Sequence, residues 1–291
     1  MLETPLIINL APTGAVADHR KNPNVPIAVD TIAAAVAASA REGASIAHLH
    51  VRDSEGRPSC EPALYAALLG RLRADPDCRD LVLCASTSGR HGQTPEQRAA
   101  VLALPPEVRP EMASLTLGSL NFPTGPSVNA PDTIRFLADE MTRFGVKPEL
   151  EIFDLGMVEF AKTLIAEGRL RPPYYFNIIL GNIGSLACDV RHLGLVIGLL
   201  PQPCIVSIGG VGRHQAAANA LGLACADGVR VGLEDNLWES WAMRRPATNP
   251  GLVGRIARQA TAFERPISAA AQTRAALDLA PAANHAPLLP A

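Results

Sequence analysis

Apolar positions along the chain gather into short runs, separated by longer stretches in which they recur every three or four residues. Eight runs have the length of strands: residues 6–11, 45–52, 81–86, 112–117, 149–154, 174–180, 204–208 and 229–234. Between them, residues 26–42, 95–104, 131–144, 157–167 and 215–224 carry helical spacing. A short apolar run bounded by polar turns reads as a strand buried on both faces, and a three-and-four spacing as a helix with one apolar side. Asp132, after Asn129-Ala130-Pro131, marks a helix start. Strict alternation of strand and helix predicts a parallel sheet. Eight such units favour a closed (β/α)8 TIM barrel over an open sheet. No shift in composition divides the chain. Residues 1–279 therefore read as one barrel domain and residues 280–291 as a flexible tail.

Composition narrows the functional classes. The 291 residues are 48% hydrophobic, enough for a large core, and the formal net charge is −2 with no long run of one sign. A nucleic-acid partner needs a concentrated basic face, so none is expected. No stretch approaches the roughly 20 apolar residues of a membrane span. The opening MLETPLIINLAPTG lacks the basic start of a signal peptide. Six scattered cysteines show no paired spacing, which points to a reduced, cytoplasmic setting with no disulfide frame and no cysteine metal site. Cys84 and Cys204 lie in apolar runs and read as small hydrophobes.

Within a barrel strand, side chains pointing into the barrel alternate with those packed beneath the helices. In SIAHLHVR, Ala47, Leu49 and Val51 then face the helices, and His48 and His50 face inward at the strand's C-terminal end, where barrel active sites sit. Two imidazoles at i and i+2 can chelate one ion, zinc above all, although a hydrogen-bonded histidine pair is the alternative. A third ligand is found by the same parity in GVRVGLEDN, where Arg230, Gly232 and Glu234 face inward. An internal Arg230–Glu234 ion pair is the competing reading. Ser86 and the turn to Gly89, with Ser114, Thr116, Glu149, Glu151 and Asn177, would add a polar mouth for substrate. The glycine run 209–212 before a helix could take an anion, or could simply start that helix.

The segments SIAHLHVRD, CASTSGR, RPEMASLTLGSLNF, LEIFDLGM, FNIILG, GVGRHQ and VRVGLEDN occur in this order. Together they give the chain a resemblance to the β-keto acid cleavage enzymes, the family of the 3-keto-5-aminohexanoate cleavage enzyme. The pairing of HxH with a downstream RxGxEDN is its most specific part. The resemblance implies a zinc-dependent barrel, a homotetramer, that takes a β-keto acid and acetyl-CoA to acetoacetate and a new acyl-CoA. By motif, His48, His50 and Glu234 match the metal ligands. Ser86 and Asp235 match the pair that activates a proton-abstracting water, and Arg230 the arginine beside the nascent charge. Ser114 stands where the family has a substrate-contacting threonine. Val16 stands where the aminohexanoate enzyme has an acid for the substrate ammonium, so a neutral or anionic β-keto acid is expected, with Arg20, Lys21 or Arg90 near its far end. Two other readings are an amidohydrolase-like metal hydrolase, which would carry HxH on its first strand, and a non-catalytic barrel that binds an acyl-CoA or keto acid.

Overall fold

The structure, a computed structural model, describes residues 4–90, 92–123 and 125–280. Eight parallel strands close a barrel: β1 (Ile7–Leu10), β2 (Ile46–Leu49), β3 (Val82–Ala85), β4 (Met112–Thr116), β5 (Lys147–Ile152), β6 (Tyr174–Leu180), β7 (Cys204–Gly210) and β8 (Gly228–Val231). Each strand pairs with the next, and β8 returns to β1 through Asn9 opposite Arg230. The helices that follow are α1 (Val29–Arg41), α2 (Pro62–Ala74), α3 (Pro95–Ala99), α4 (Pro131–Phe144), α5 (Leu155–Ala166), α6 (Val190–Leu199), α7 (Gln215–Cys225) and α8 (Asn249–Ala262). The barrel expected from the alternation is the observed fold, with α2 and α6 supplied between segments that the helical spacing had marked and α8 after the last of them. No helix among the described residues is long and apolar enough to cross a membrane. The tail placed at 280–291 lies, beyond Ala280, outside the described residues.

Strand parity sorts the apolar side chains into two cores. Ile8, Leu10, Ala47, Leu49, Val229 and Val231 pack outward against the helices in the larger one. Ile7, Ile46, Val82, Cys84, Met112 and Tyr175 point inward and fill the barrel floor, which Leu277 closes from below. Side chains one step further along the same strands are polar. Asn9, His48, Glu149, Asn177, Ser207 and Arg230 are all buried in this middle layer. A barrel built only for stability would fill it with branched apolar residues.

Helix α4 spans the expected residues 131–144, with its cap in the expected region. Ala130 is its cap without a side-chain bond, Pro131 opens the helix, and Asp132 sits in the first turn, where the helix dipole favours a carboxylate. Two predicted strands end early. The run 45–52 breaks at His50, after which Val51–Arg52 pairs antiparallel with Pro58–Ser59 in a hairpin above the barrel. The run 229–234 breaks at Val231, because Gly232 turns the chain with φ 153°. A Cβ at Gly232 would stand 2.0 Å from the Ala11 carbonyl oxygen. Two further hairpins, Leu120–Phe122 with Gly125–Ser127 and Trp238–Ser240 with Arg245–Pro246, crown the same end.

Arg52 ties this end together. Its buried guanidinium donates to the carbonyls of Thr13, Gly14, Ala17 and Gly56, so the loop after β1 is held over the barrel mouth. We predict that Gly232→Ala loses about 3 kcal/mol of unfolding free energy, since both its backbone angle and its contact with Ala11 forbid a side chain. Urea denaturation followed by circular dichroism measures this; a loss under about 0.5 kcal/mol would show that the turn yields freely.

Candidate metal centre and active site

His48 stands on β2 and is almost fully buried. His50 lies one residue past the end of that strand, yet its ring still turns inward, with its centroid 5.3 Å from that of His48. Glu234 arrives from the turn beyond β8, not from strand alternation as expected. Its amide donates to the Ala11 carbonyl, and the following amides of Asp235 and Asn236 close back on Gly232. Gly14 lets this side chain pass, since a Cβ there would meet Glu234 Cγ at 2.4 Å.

These three residues converge on one point. His48 Nε2 and His50 Nε2 are 3.4 Å apart, Glu234 Oε1 is 3.4 Å from His50 Nε2 and 3.9 Å from His48 Nε2. Ligands about 2.0–2.1 Å from a tetrahedral zinc sit roughly 3.3 Å from one another, so the spacing suits a single ion. The second carboxylate oxygen, Glu234 Oε2, is buried with no hydrogen-bond partner. A buried lone carboxylate oxygen is costly, and a cation among the three side chains would satisfy it.

The opposite ring nitrogen of His48 is also committed. Nδ1 donates to Glu149 Oε2 at 2.5 Å. Glu149 is fully buried and accepts from Asn9 Nδ2 at 2.7 Å and Asn177 Nδ2 at 3.1 Å. This fixes the tautomer and aims Nε2 at the cavity, as carboxylate–histidine pairs do behind metals. Burial alone would lower the His48 pKa and raise that of Glu149. Their mutual attraction outweighs it, with Arg230 opposing and Glu234 assisting at His48. His48 is pushed up to about 9 and Glu149 down to about 2. His48, Cys84 and Glu149 form a second cluster with metal-ligand atom types. There the 2.5 Å contact leaves no room for an ion between its members, and burial with the neighbouring Glu149 charge pushes the Cys84 thiol up, against thiolate formation. Cys84, expected as a plain core residue, thus packs its sulfur 3.4 Å from a carboxylate oxygen.

Arg230 is the hub of the remaining charges. It donates to Asp235 through Nε at 2.8 Å and Nη2 at 3.2 Å, to Glu234 at 2.7 Å and to Glu151 at 3.4 Å. Thr116 Oγ1 donates to the other Glu151 oxygen at 2.6 Å. The ion-pair alternative for Arg230 and Glu234 is therefore present, but it uses only Oε1. Burial raises the Asp235 pKa, and although Arg230 opposes this, the adjacent Glu234 charge adds to it. Asp235 is thereby the carboxylate of this cluster best suited to pick up a proton. Gly209 makes the hub possible: a Cβ there would press on Arg230 Cβ at 3.0 Å. The glycine run is not an open anion cradle, because the amides of Val211 and Gly212 are used by the carbonyls of Leu180 and Asp235.

His48, His50, Glu234, Arg230, Asp235, Ser86, Thr116 and Val16 all line one cavity of about 280 Å³. Ser86 accepts a hydrogen bond from the Ser88 amide at 3.1 Å. Ser114 and Gly89, expected at the substrate, do not line it. Ser114 Oγ accepts from the Thr87 amide, and Gly89 backs onto Arg98, which a Cβ there would meet at 2.8 Å. Arg20 and Lys21 also lie off the cavity wall, Arg20 being paired with Asp18. Strand parity had put Glu149 and Glu151 on one face without showing that Glu149 holds His48. Phe122, Phe153 and Ile179, which wall the cavity with Arg90, carried no polar signal at all.

A family profile described as beta-keto acid cleavage enzyme matches residues 5–279. The 3-keto-5-aminohexanoate cleavage enzyme of Acetoanaerobium sticklandii is 33% identical over 276 residues, 94% of this chain and 98% of that one. The 3-oxoadipate:acetyl-CoA acetyltransferase of Cupriavidus necator is 34% identical over 278 residues, 94% of this chain and 95% of its own. Among solved structures, the ternary complex of ObcA with C4-CoA adduct and oxalate superposes with a TM-score of 0.76 at 25% identity, covering 88% of this chain and 68% of that chain. With the profile match spanning the whole barrel, the chain belongs to the β-keto acid cleavage enzymes and is an enzyme.

Proposed function

We propose that this enzyme cleaves a β-keto acid with acetyl-CoA, giving acetoacetate and a new acyl-CoA, and that a zinc ion held by His48, His50 and Glu234 serves the reaction. The observation that carries the reading is the convergence of three metal-ligand atoms on a cavity that also holds Arg230 and Asp235. When bound, the ion supplies a Lewis acid that makes the keto group electron-poor and its neighbouring methylene acidic. Two histidines and a carboxylate suit zinc, and the same donors accept cobalt or manganese.

The chain's own groups account for the rest. Asp235, through a water held with Ser86, takes the methylene proton, and its raised pKa favours that role. Arg230 faces the negative charge that develops on the substrate oxygens. The substrate carbon then bonds to the acetyl carbonyl carbon, and the thiolate of CoA leaves. That thiolate attacks the original keto carbon. The bond between that carbon and the former methylene breaks, the electron pair left there takes back the proton first removed, and acetoacetate departs with the acyl group now on CoA. Atoms balance with no oxidant or reductant. Val16 at the cavity wall offers no counter-ion to a substrate ammonium, so a neutral or anionic β-keto acid is preferred over an amino one.

With zinc and acetyl-CoA, the purified enzyme is expected to form acetoacetate from β-keto acids, and a chelator to abolish this until zinc is restored. Hydrolysis of amides or lactones without CoA would point instead to a metal hydrolase. Asp235→Asn should lower kcat at least about 100-fold while mass spectrometry finds its metal content unchanged; retained turnover would remove Asp235 from the proton step. Glu149→Gln should weaken zinc binding by about 10- to 100-fold in competition with a chromophoric chelator. Unaltered affinity would show that His48 needs no support from below.

A further inference from the structure

The wall of the cavity carries a cation that the cleavage chemistry leaves unused. Arg90 follows the turn beyond β3 and is half-buried, with its guanidinium carbon 3.2 Å from the centroid of the Phe122 ring. The other buried guanidiniums nearby have their partners. Arg230 takes the carboxylates of Glu151, Glu234 and Asp235, Arg98 takes the Thr87 carbonyl and the Asn129 amide oxygen, and Arg52 takes loop carbonyls. Among the described residues, no carboxylate forms an ion pair with Arg90. Burial draws its pKa down, and the more distant charges of Glu234, Glu151 and Asp235 push against that. Stacking on Phe122 holds the planar group by one face and leaves its edge N–H donors, the geometry that grips a carboxylate through two bonds.

The cavity of about 280 Å³ has room for a small keto acid. With the keto end at the histidines, Arg90 is the lining cation left for the other end of such an acid, beside the apolar Val16, Leu120 and Phe153. We propose that Arg90, braced by Phe122, is a specificity-determining residue that binds a second carboxylate at the far end of the substrate, which makes the preferred substrate a β-keto dicarboxylate. This rests on the cleavage reading and narrows it.

The test compares 3-oxoadipate, 3-oxohexanoate and 3-oxo-5-aminohexanoate with acetyl-CoA in the wild type, Arg90→Gln and Arg90→Lys. The wild type should favour the dicarboxylate over both others in kcat/KM. Arg90→Gln should shrink that preference about 30-fold, mainly through KM, and Arg90→Lys should recover part of it. A wild-type preference for an uncharged or cationic far end would overturn the proposal. So would equal losses on all acids with a raised KM for acetyl-CoA, which would give Arg90 to a CoA phosphate. Calorimetry with adipate and hexanoate, which are not cleaved, reads the residue apart from turnover. Adipate should bind the zinc-loaded wild type more tightly than hexanoate does, and Arg90→Gln should erase the difference; equal binding to the wild type would overturn the assignment. If no keto acid turns over while adipate still binds through Arg90, the cleavage reading fails and the carboxylate site stands.

Discussion

Four carboxylates lie largely buried together at one end of this barrel, and how they are partnered governs the site. Glu149, Glu151, Glu234 and Asp235 crowd round a single guanidinium, Arg230, with the imidazoles of His48 and His50 completing the group. Burial penalises every one of these charges, and a lone unpaired carboxylate oxygen in such a place is destabilising. The chain satisfies nearly all of the lone pairs with hydrogen bonds from Asn9, Asn177, Thr116 and Arg230. The exception, Glu234 Oε2, belongs to the residue that closes the three-ligand cluster. The arrangement makes physical sense as a receptacle for a divalent cation, and a cation placed there acts on whatever carbonyl enters the cavity.

The fold serves that receptacle in layers. Apolar side chains fill the floor, a buried amide and carboxylate layer orients His48, and His48 and Arg230 reach from that layer into the cavity. Two glycines shape the carboxylate ligand's approach: Gly232 turns the chain against Ala11, and Gly14 leaves space for the Glu234 stem. Arg52 binds the loop after β1 from beneath, so the loop that carries Gly14 and Val16 is fixed by backbone carbonyls on the far side of the site. Rigid support of this kind is what a metal ligand on a turn requires, since its direction is not set by a strand.

The barrel and the histidine pair were legible because both follow from short periods: apolar runs of strand length, and imidazoles two residues apart within one. The same period misread how Glu234 arrives. It joins the histidine cluster from a turn and not by strand parity, because Gly232 ends the strand and the turn does the aiming. Glu149 behind His48 depends on β2 and β5 facing each other across the barrel, which local patterns do not encode. Ser114, expected at the mouth by strand parity and by its match to a substrate-contacting threonine, and Gly89, expected there from the turn after Ser86, are engaged elsewhere: the Ser114 hydroxyl takes the Thr87 amide and Gly89 packs on Arg98. The pairing of Arg90 with Phe122 joins a turn after β3 to a hairpin strand far along the chain and emerges only once both line one cavity.

The most direct test of this account is an anomalous difference map from crystals grown with zinc, recorded on both sides of the zinc absorption edge. The account predicts one strong peak bonded to His48 Nε2, His50 Nε2 and Glu234, with Glu149 still hydrogen-bonded to the other nitrogen of His48. A map with no peak among these three side chains, or with the ion lodged between His48, Cys84 and Glu149, would contradict it.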